Sequence, residues 1–133
     1  NIFSNALDAL EEMNESRSLA AIKANPNIIT ITTALLENQQ VRITIADNGP
    51  GITEPVQRRV FDPFFTTKPL GKGTGMGMSI SYSIVVEKHG GSLKCDSTLD
   101  QGTEFVIQIP IHQTSNETDG ITVPTATSVP ATV

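Results

Sequence analysis

The chain has 133 residues and a net charge of −5, with 14 acidic side chains against nine basic ones. That is enough for one domain at most, and it argues against a nucleic-acid partner, which wants a basic face. No apolar run approaches the roughly 18–20 residues that span a bilayer, and the single cysteine, Cys95, excludes an internal disulfide framework or a multi-cysteine metal site. A reducing, cytoplasmic setting is expected, with membrane anchoring of the intact chain through upstream segments left open. No signal-peptide pattern opens the chain. Asn1 already lies in a helical pattern, so the sequence reads as part of a longer chain.

Residues 1 to about 13 have helical periodicity. Ile2, Phe3, Ala6, Ala9, Leu10 and Met13 share one broad apolar face, and Asn1, Asn5, Asp8 and Glu12 cluster opposite them. A second helical stretch around Glu15–Lys23 must end before Asn25-Pro26, because the residue before proline disfavours the α region. The period then changes to two. Asn27–Leu36 and Val41–Ala46 alternate around the polar turn Glu37–Gln40, which predicts a hairpin. Asp47-Asn48-Gly49-Pro50-Gly51 breaks that pattern. Glu54–Val60 is a short helix candidate and Phe61–Leu70 is irregular. A helix follows from about Met78 to Lys88, with Ile80, Ile84 and Val85 expected inward and His89 as its C-terminal cap before two glycines. Leu93–Ser97 and Thr103–Ile111 read as a second hairpin, with Phe105, Ile107, Ile109 and Ile111 on one face. Gln113–Val133, rich in threonine and proline and without periodicity, reads as a disordered tail. The ordered part, 1–112, is thus an α+β two-layer sandwich: a mainly antiparallel sheet with helices on one face.

Glycines at 71, 73, 75 and 77 precede the third long helical pattern. Backbone N–H groups converge in such a run, and a helix N-terminus adds partial positive charge, so phosphate is a natural ligand. The run alone is equally compatible with a hinge. The common phosphate motifs fail on spacing: the chain has no Gly-x-x-x-x-Gly-Lys-Ser/Thr string, and Met76 stands where a Gly-x-Gly-x-x-Gly counted from Gly71 needs its third glycine.

Five motifs occur in a fixed order: Asn1-x-x-x-Asn5-Ala6-x-x-Ala9, Asp47-x-Gly49-x-Gly51, Phe61-x-Pro63-Phe64-Phe65, Gly71-x-Gly73-x-Gly75-x-Gly77 and Gly102-Thr103-x-Phe105. The set resembles the N, G1, F, G2 and G3 boxes of the ATP-binding catalytic domain of bacterial sensor histidine kinases, within the GHKL superfamily. The resemblance covers about residues 1–111 and implies a Bergerat-type fold truncated at its N-terminus. The string Phe64-Phe65-Thr66-Thr67-Lys68-Pro69 is similar to the short-lid kinases rather than to the gyrase, mismatch-repair or chaperone branches.

The resemblance implies a residue set for ATP and Mg²⁺. Asn5 would hold Mg²⁺ against the phosphates, as suits a metal that prefers hard oxygen ligands and keeps several waters. Asn1 would contact phosphate or a metal-bound water. Where hydrolysing relatives carry a glutamate there, asparagine cannot act as a base, which favours transfer to an external nucleophile. Asp8 departs from relatives with a basic residue at that place. Asp47 would accept from the adenine amine, with Gly49 and Gly51 letting the backbone approach the base. Gly71, Lys72, Gly73, Thr74, Gly75, Met76 and Gly77 would form the lid over the phosphates. Lys72 is preferred over Lys68 as the phosphate cation, and Gly75 and Gly77 would offer backbone nitrogens. Thr103 would bond near the adenine. Phe61 is expected in the core, with Phe64 or Phe65 more exposed. Residues 66–76 are expected to be mobile without nucleotide.

Neither His89 nor His112 matches a phospho-acceptor motif. The implied partners are a histidine-containing dimerisation domain upstream, making the intact protein a homodimer, and a response regulator. The rival functions are another GHKL ATPase or serine kinase, and a nucleotide-sensing module without phosphotransfer.

Overall fold

The structure is a computed structural model that describes residues 1–112. The tail expected over 113–133 lies outside the described residues. Four strands form one antiparallel sheet: β1 (Ile29–Leu36), β2 (Gln40–Asp47), β3 (Ser92–Thr98) and β4 (Gly102–Pro110), in the order β1-β2-β4-β3. Both predicted hairpins form. The β2–β4 pairing joins them at the centre of the sheet, setting Asp47 beside Thr103 and Ile45 beside Phe105.

The register explains why only one face carries a core. Ile45, Phe105 and Cys95 lie across one another, as do Ile43, Ile107 and Leu93 one pleat further on. Strand residues alternate faces, so the opposite face receives Arg42, Thr44, Lys94, Asp96, Glu104 and Gln108. The helices pack on the apolar face: α1 (Ile2–Glu15) against β2, α3 (Glu54–Gln57) against β3, and α4 (Gly77–Tyr82) against α1, while the π-helical turn Ser83–Lys88 that continues α4 meets β3 and β4. Ile2, Met78, Leu93 and Phe105 form the buried centre, surrounded by Ile45, Val60, Phe61, Val85, Val86, Cys95 and Ile107. The α+β sandwich read from the sequence is the fold observed.

Three local expectations are corrected. First, the second helix starts later than Glu15, because α1 itself runs on to Glu15. The chain turns at 16–18, where Arg17 donates to the side-chain oxygens of Asn14 and Asn27 and to the carbonyls of Ala21 and Asn25. Ser18 then caps α2 (Leu19–Ala24) by accepting from the Ala21 N–H.

Second, Ile80 and Ile84 are exposed, at 46% and 41%, and the inward residues are Met78, Val85 and Val86. A π-helical turn carries more residues per turn than an α-helix, so the stripe counted at 3.6 residues per turn is shifted over its second half. His89 does cap the end, its Nδ1 meeting the Ile84 carbonyl at 2.7 Å.

Third, Phe3 stands exposed on the flank of α1, because the helix buries the stripe Ile2, Ala6 and Leu10. Ile111 lies beyond the end of β4 and is also exposed.

Candidate functional site

A cavity of about 620 Å³ opens between α1, the end of β2 and the segment 65–77. Pockets of roughly 300–1,000 Å³ take drug-sized ligands. The polar face of α1 forms one wall, with Asn1, Asn5, Asp8 and Glu12 all lining it. Their spacing of three or four residues stacks them on one side of the helix.

The floor is built by the β2–β4 ladder. Asp47 closes β2, and its Oδ1 accepts from the backbone N–H of Gly49 at 2.9 Å and of Thr103 at 3.3 Å. Both donors come from backbone held by the sheet or its loop, so the carboxylate has a fixed orientation. No described residue donates to Oδ2.

The chain can double back here because Gly102 has φ +115°, and a Cβ on it would sit 1.9 Å from the Asp47 carbonyl oxygen. Thr103 Oγ1 lies 3.0 Å from Ser97 Oγ, which also accepts from the Ile52 N–H and donates to the Gly102 carbonyl. Asn48 secures the loop from the other side, accepting from the Ile28 N–H and donating to the Pro26 carbonyl. The Pro50 carbonyl accepts from the Asp100 N–H, tying the same loop to the β3–β4 turn.

The roof is the segment 64–76. Phe64 has φ +64° and is 76% exposed. This costly conformation for a bulky residue is packed against Gly75, where a Cβ would lie 2.4 Å from the Phe64 carbonyl carbon. Gly75 is therefore required by the chain's own turn, whatever it offers a ligand. The Thr66 hydroxyl accepts from the Lys68 N–H, and Lys68 Nζ is paired with Asp8 on α1. Lys72 lines the cavity and has no ion partner among the described residues. Phe65 also lines the cavity, with the Arg59 guanidinium 4.4 Å from its ring centroid. Phe61 is in the core against Tyr82 and Phe105, as expected.

Of the predicted site residues, Asn1, Asn5, Asp47, Gly51, Lys68, Lys72, Gly73, Thr74, Gly75, Gly77 and Thr103 all line this one cavity. Gly49 is buried behind Asp47, and Gly71 and Met76 are not among the lining residues. Asn1 donates through Nδ2 to the Gly77 carbonyl and to Ser81 Oγ, so it joins α1 to the start of α4.

The apolar wall of Ile52, Val56, Val60 and Met78 was missed in the sequence, and Phe65 of the Phe61–Phe65 motif completes it. Its signal is the four-residue spacing of Ile52, Val56 and Val60. Ser97 gave none.

The donor set suits a metal only in a particular way. No cluster of three or more His, Cys, Asp or Glu able to hold a cation occurs among the described residues. A half-buried asparagine oxygen on the cavity wall suits a Mg²⁺ ion that draws most of its ligands from phosphate and water. No helix among the described residues is long and apolar enough to cross a membrane.

Residues 1–113 match the family described as histidine kinase-, DNA gyrase B- and HSP90-like ATPase. The sensor kinase CckA of Brucella abortus is 45% identical over 76 residues, covering 57% of this chain and 8% of CckA. The histidine-protein kinase AtoS of Escherichia coli is 38% identical over 101 residues, covering 76% of this chain and 16% of AtoS. Among solved structures, a nucleotide-free catalytic domain of the histidine kinase ThkA aligns with TM-score 0.55 and 36% identity over 63% of this chain and 53% of that one. Full-length ShkA in complex with AMPPNP aligns with TM-score 0.55 and 29% identity over 65% of this chain and 18% of ShkA. The chain thus spans only a small part of its curated relatives.

Proposed function

The chain belongs to the histidine kinase-, DNA gyrase B- and HSP90-like ATPase family, as an ATP-binding catalytic domain of the sensor histidine kinase kind, and from that premise we propose that the cavity takes ATP-Mg²⁺ and presents its γ-phosphate to a histidine on a separate dimerisation domain. The observation that carries this reading is the convergence in one cavity of Asp47 from the sheet, Asn5 from α1 and the lysines of segment 64–76.

Asp47 reads the base. With Oδ1 occupied by two backbone N–H groups, Oδ2 faces a donor, and adenine offers an amine where guanine offers a carbonyl. The apolar wall of Ile52, Val56 and Met78 takes the flat ring. The phosphates then extend towards Asn5 and the lid, where Lys72 neutralises them. Asn5 would hold Mg²⁺, which when bound offsets phosphate charge and orients the γ-phosphate. ShkA is solved with AMPPNP, consistent with an adenine nucleotide here.

Transfer rather than hydrolysis is favoured by Asn1. Its amide has no proton-accepting role and is engaged with α4. Phosphoryl transfer asks the protein mainly for alignment and charge neutralisation. The acceptor histidine, the dimer it sits in and the response regulator that receives the phosphate are proposed from the same reading.

The test is to incubate the full-length protein with γ-labelled ATP and Mg²⁺. The expected product is an acid-labile, base-stable phosphoprotein, lost in Asn5→Ala. An acid-stable phosphoprotein would point to a serine kinase, release of free phosphate alone to an ATPase, and ATP binding with neither to a sensing module.

A further inference from the structure

We propose that Asp8 is a positioning residue for the lid: it holds Lys68 in the nucleotide-free protein and yields it to phosphate on binding, so that it restrains ATP affinity. This deepens the ATP reading and rests on it.

Three ion pairs occur among the described residues. Arg58–Glu54 and Arg59–Asp62 are local pairs of exposed side chains. Lys68–Asp8 alone joins distant parts of the chain, 60 residues apart, and its side chains are only 35% and 45% exposed. Each partner is placed by contacts of its own segment. Asp8 lies on α1 three residues beyond Asn5, on the wall of the cavity. Lys68 has its N–H held by the Thr66 hydroxyl, and its Cβ lies 3.1 Å from the place a Cβ on Gly73 would take. Its aliphatic stem is thus packed under the lid backbone, with the ammonium directed at α1.

A pair this accessible is weak, enough to bias a lid and weak enough to exchange. Lysine is a point charge on a flexible stem and changes anion readily. A polyphosphate entering beside Asn5 offers several charged oxygens to the same ammonium. Asp8 therefore competes with the ligand for Lys68, and its carboxylate also repels the ligand once the lysine has left.

The test compares full-length wild type with Asp8→Asn, Lys68→Met and the double variant. Two measurements are made: hydrogen exchange over residues 66–73, and ATP-Mg²⁺ affinity by calorimetry. Asp8→Asn should speed nucleotide-free lid exchange about two- to five-fold, the amount the lost pair allows. Lys68→Met should speed it equally, and the double variant no further. Asp8→Asn should bind ATP about two- to five-fold more tightly and Lys68→Met more weakly. Unchanged lid exchange in Asp8→Asn, additive acceleration in the double variant, or weaker ATP binding by Asp8→Asn would each overturn the proposal. A wild type that binds no ATP but shows the lid effect would instead overturn the ATP reading and leave the ion-pair link intact.

Discussion

The two sides of the cavity are held together by different means. The floor, from Asp47 to Thr103, hangs on the β2–β4 ladder, with every polar group of Asp47 Oδ1, Ser97 and Asn48 bonded to backbone. The roof, segment 64–76, is held by short-range bonds to itself, by close glycine contacts of Gly75 with Phe64 and of Gly73 with Thr66 and Lys68, by the Arg59 guanidinium over Phe65, and by one ion pair to α1. Base recognition needs a fixed acceptor, since a charge-assisted bond depends on direction. Phosphate capture needs a part that opens, and segments with few buried apolar contacts open at low free-energy cost. Leu70, wholly exposed at the tip of the roof, anchors nothing.

The largest effect should come from breaking the floor. Gly102→Ala must leave the left-handed region and clear the Asp47 carbonyl. We expect a loss on the order of 3–4 kcal/mol, read as a large fall in melting temperature with ATP binding lost alongside. A variant that melts like wild type would show that the floor yields as easily as the roof.

Next comes Asp47→Asn, which keeps both backbone contacts through its amide oxygen and sets an N–H against the adenine amine. ATP affinity should fall roughly 10–150-fold, for about 1.5–3 kcal/mol of charged hydrogen bond, with melting unchanged in the absence of nucleotide. Calorimetry gives the number, and an unaltered affinity would reduce Asp47 to a turn cap.

Gly75→Ala should separate stability from binding. A Cβ there overlaps the Phe64 backbone, so the turn at Phe64 must open. The roof is its own small unit, so ATP affinity should drop several-fold while global melting barely moves. Gly71→Ala meets no atom within 4 Å and carries only the strain of its φ of +87°, so it should do less on both counts.

The smallest effect is a pH dependence of the floor. Cys95 sits on the apolar face of β3, and burial first, then the charges of Asp96 and Asp47, push its thiol up to about 12. The folded state favours the neutral thiol. Its contribution to stability is complete below the unfolded thiol's ordinary pKa and is lost as pH rises from there towards 12. Alkylation at pH 8 should be slow in wild type and in Gly75→Ala, and fast in Gly102→Ala, because only the last exposes the sheet.

Much of this was legible in the residues. Alternation over 28–36 and 41–46 located the first hairpin, and the order of Asn5, Asp47 and the glycine pairs located the cavity. What escaped depended on contacts distant in sequence or on a changed helical period. The π-helical turn over Ser83–Lys88 shifted the stripe and left Ile84 outward. The backbone overlap that reserves Gly75 for Phe64 was hidden, because a glycine before a helix reads as an approach for phosphate. The Asp8–Lys68 pair joins residues no local pattern connects.

The β2–β4 ladder also bears on how such a chain can change over time. Asp47 and Thr103, 56 residues apart, are fixed beside each other, so everything between β2 and β4, with β3 inside it, is an excursion whose ends are already joined. Closing a longer excursion costs little: each doubling of a flexible loop adds about 0.6 kcal/mol. Insertions near Leu70 therefore leave the sheet and the base site untouched. A longer lid asks nothing of the ladder that holds Asp47.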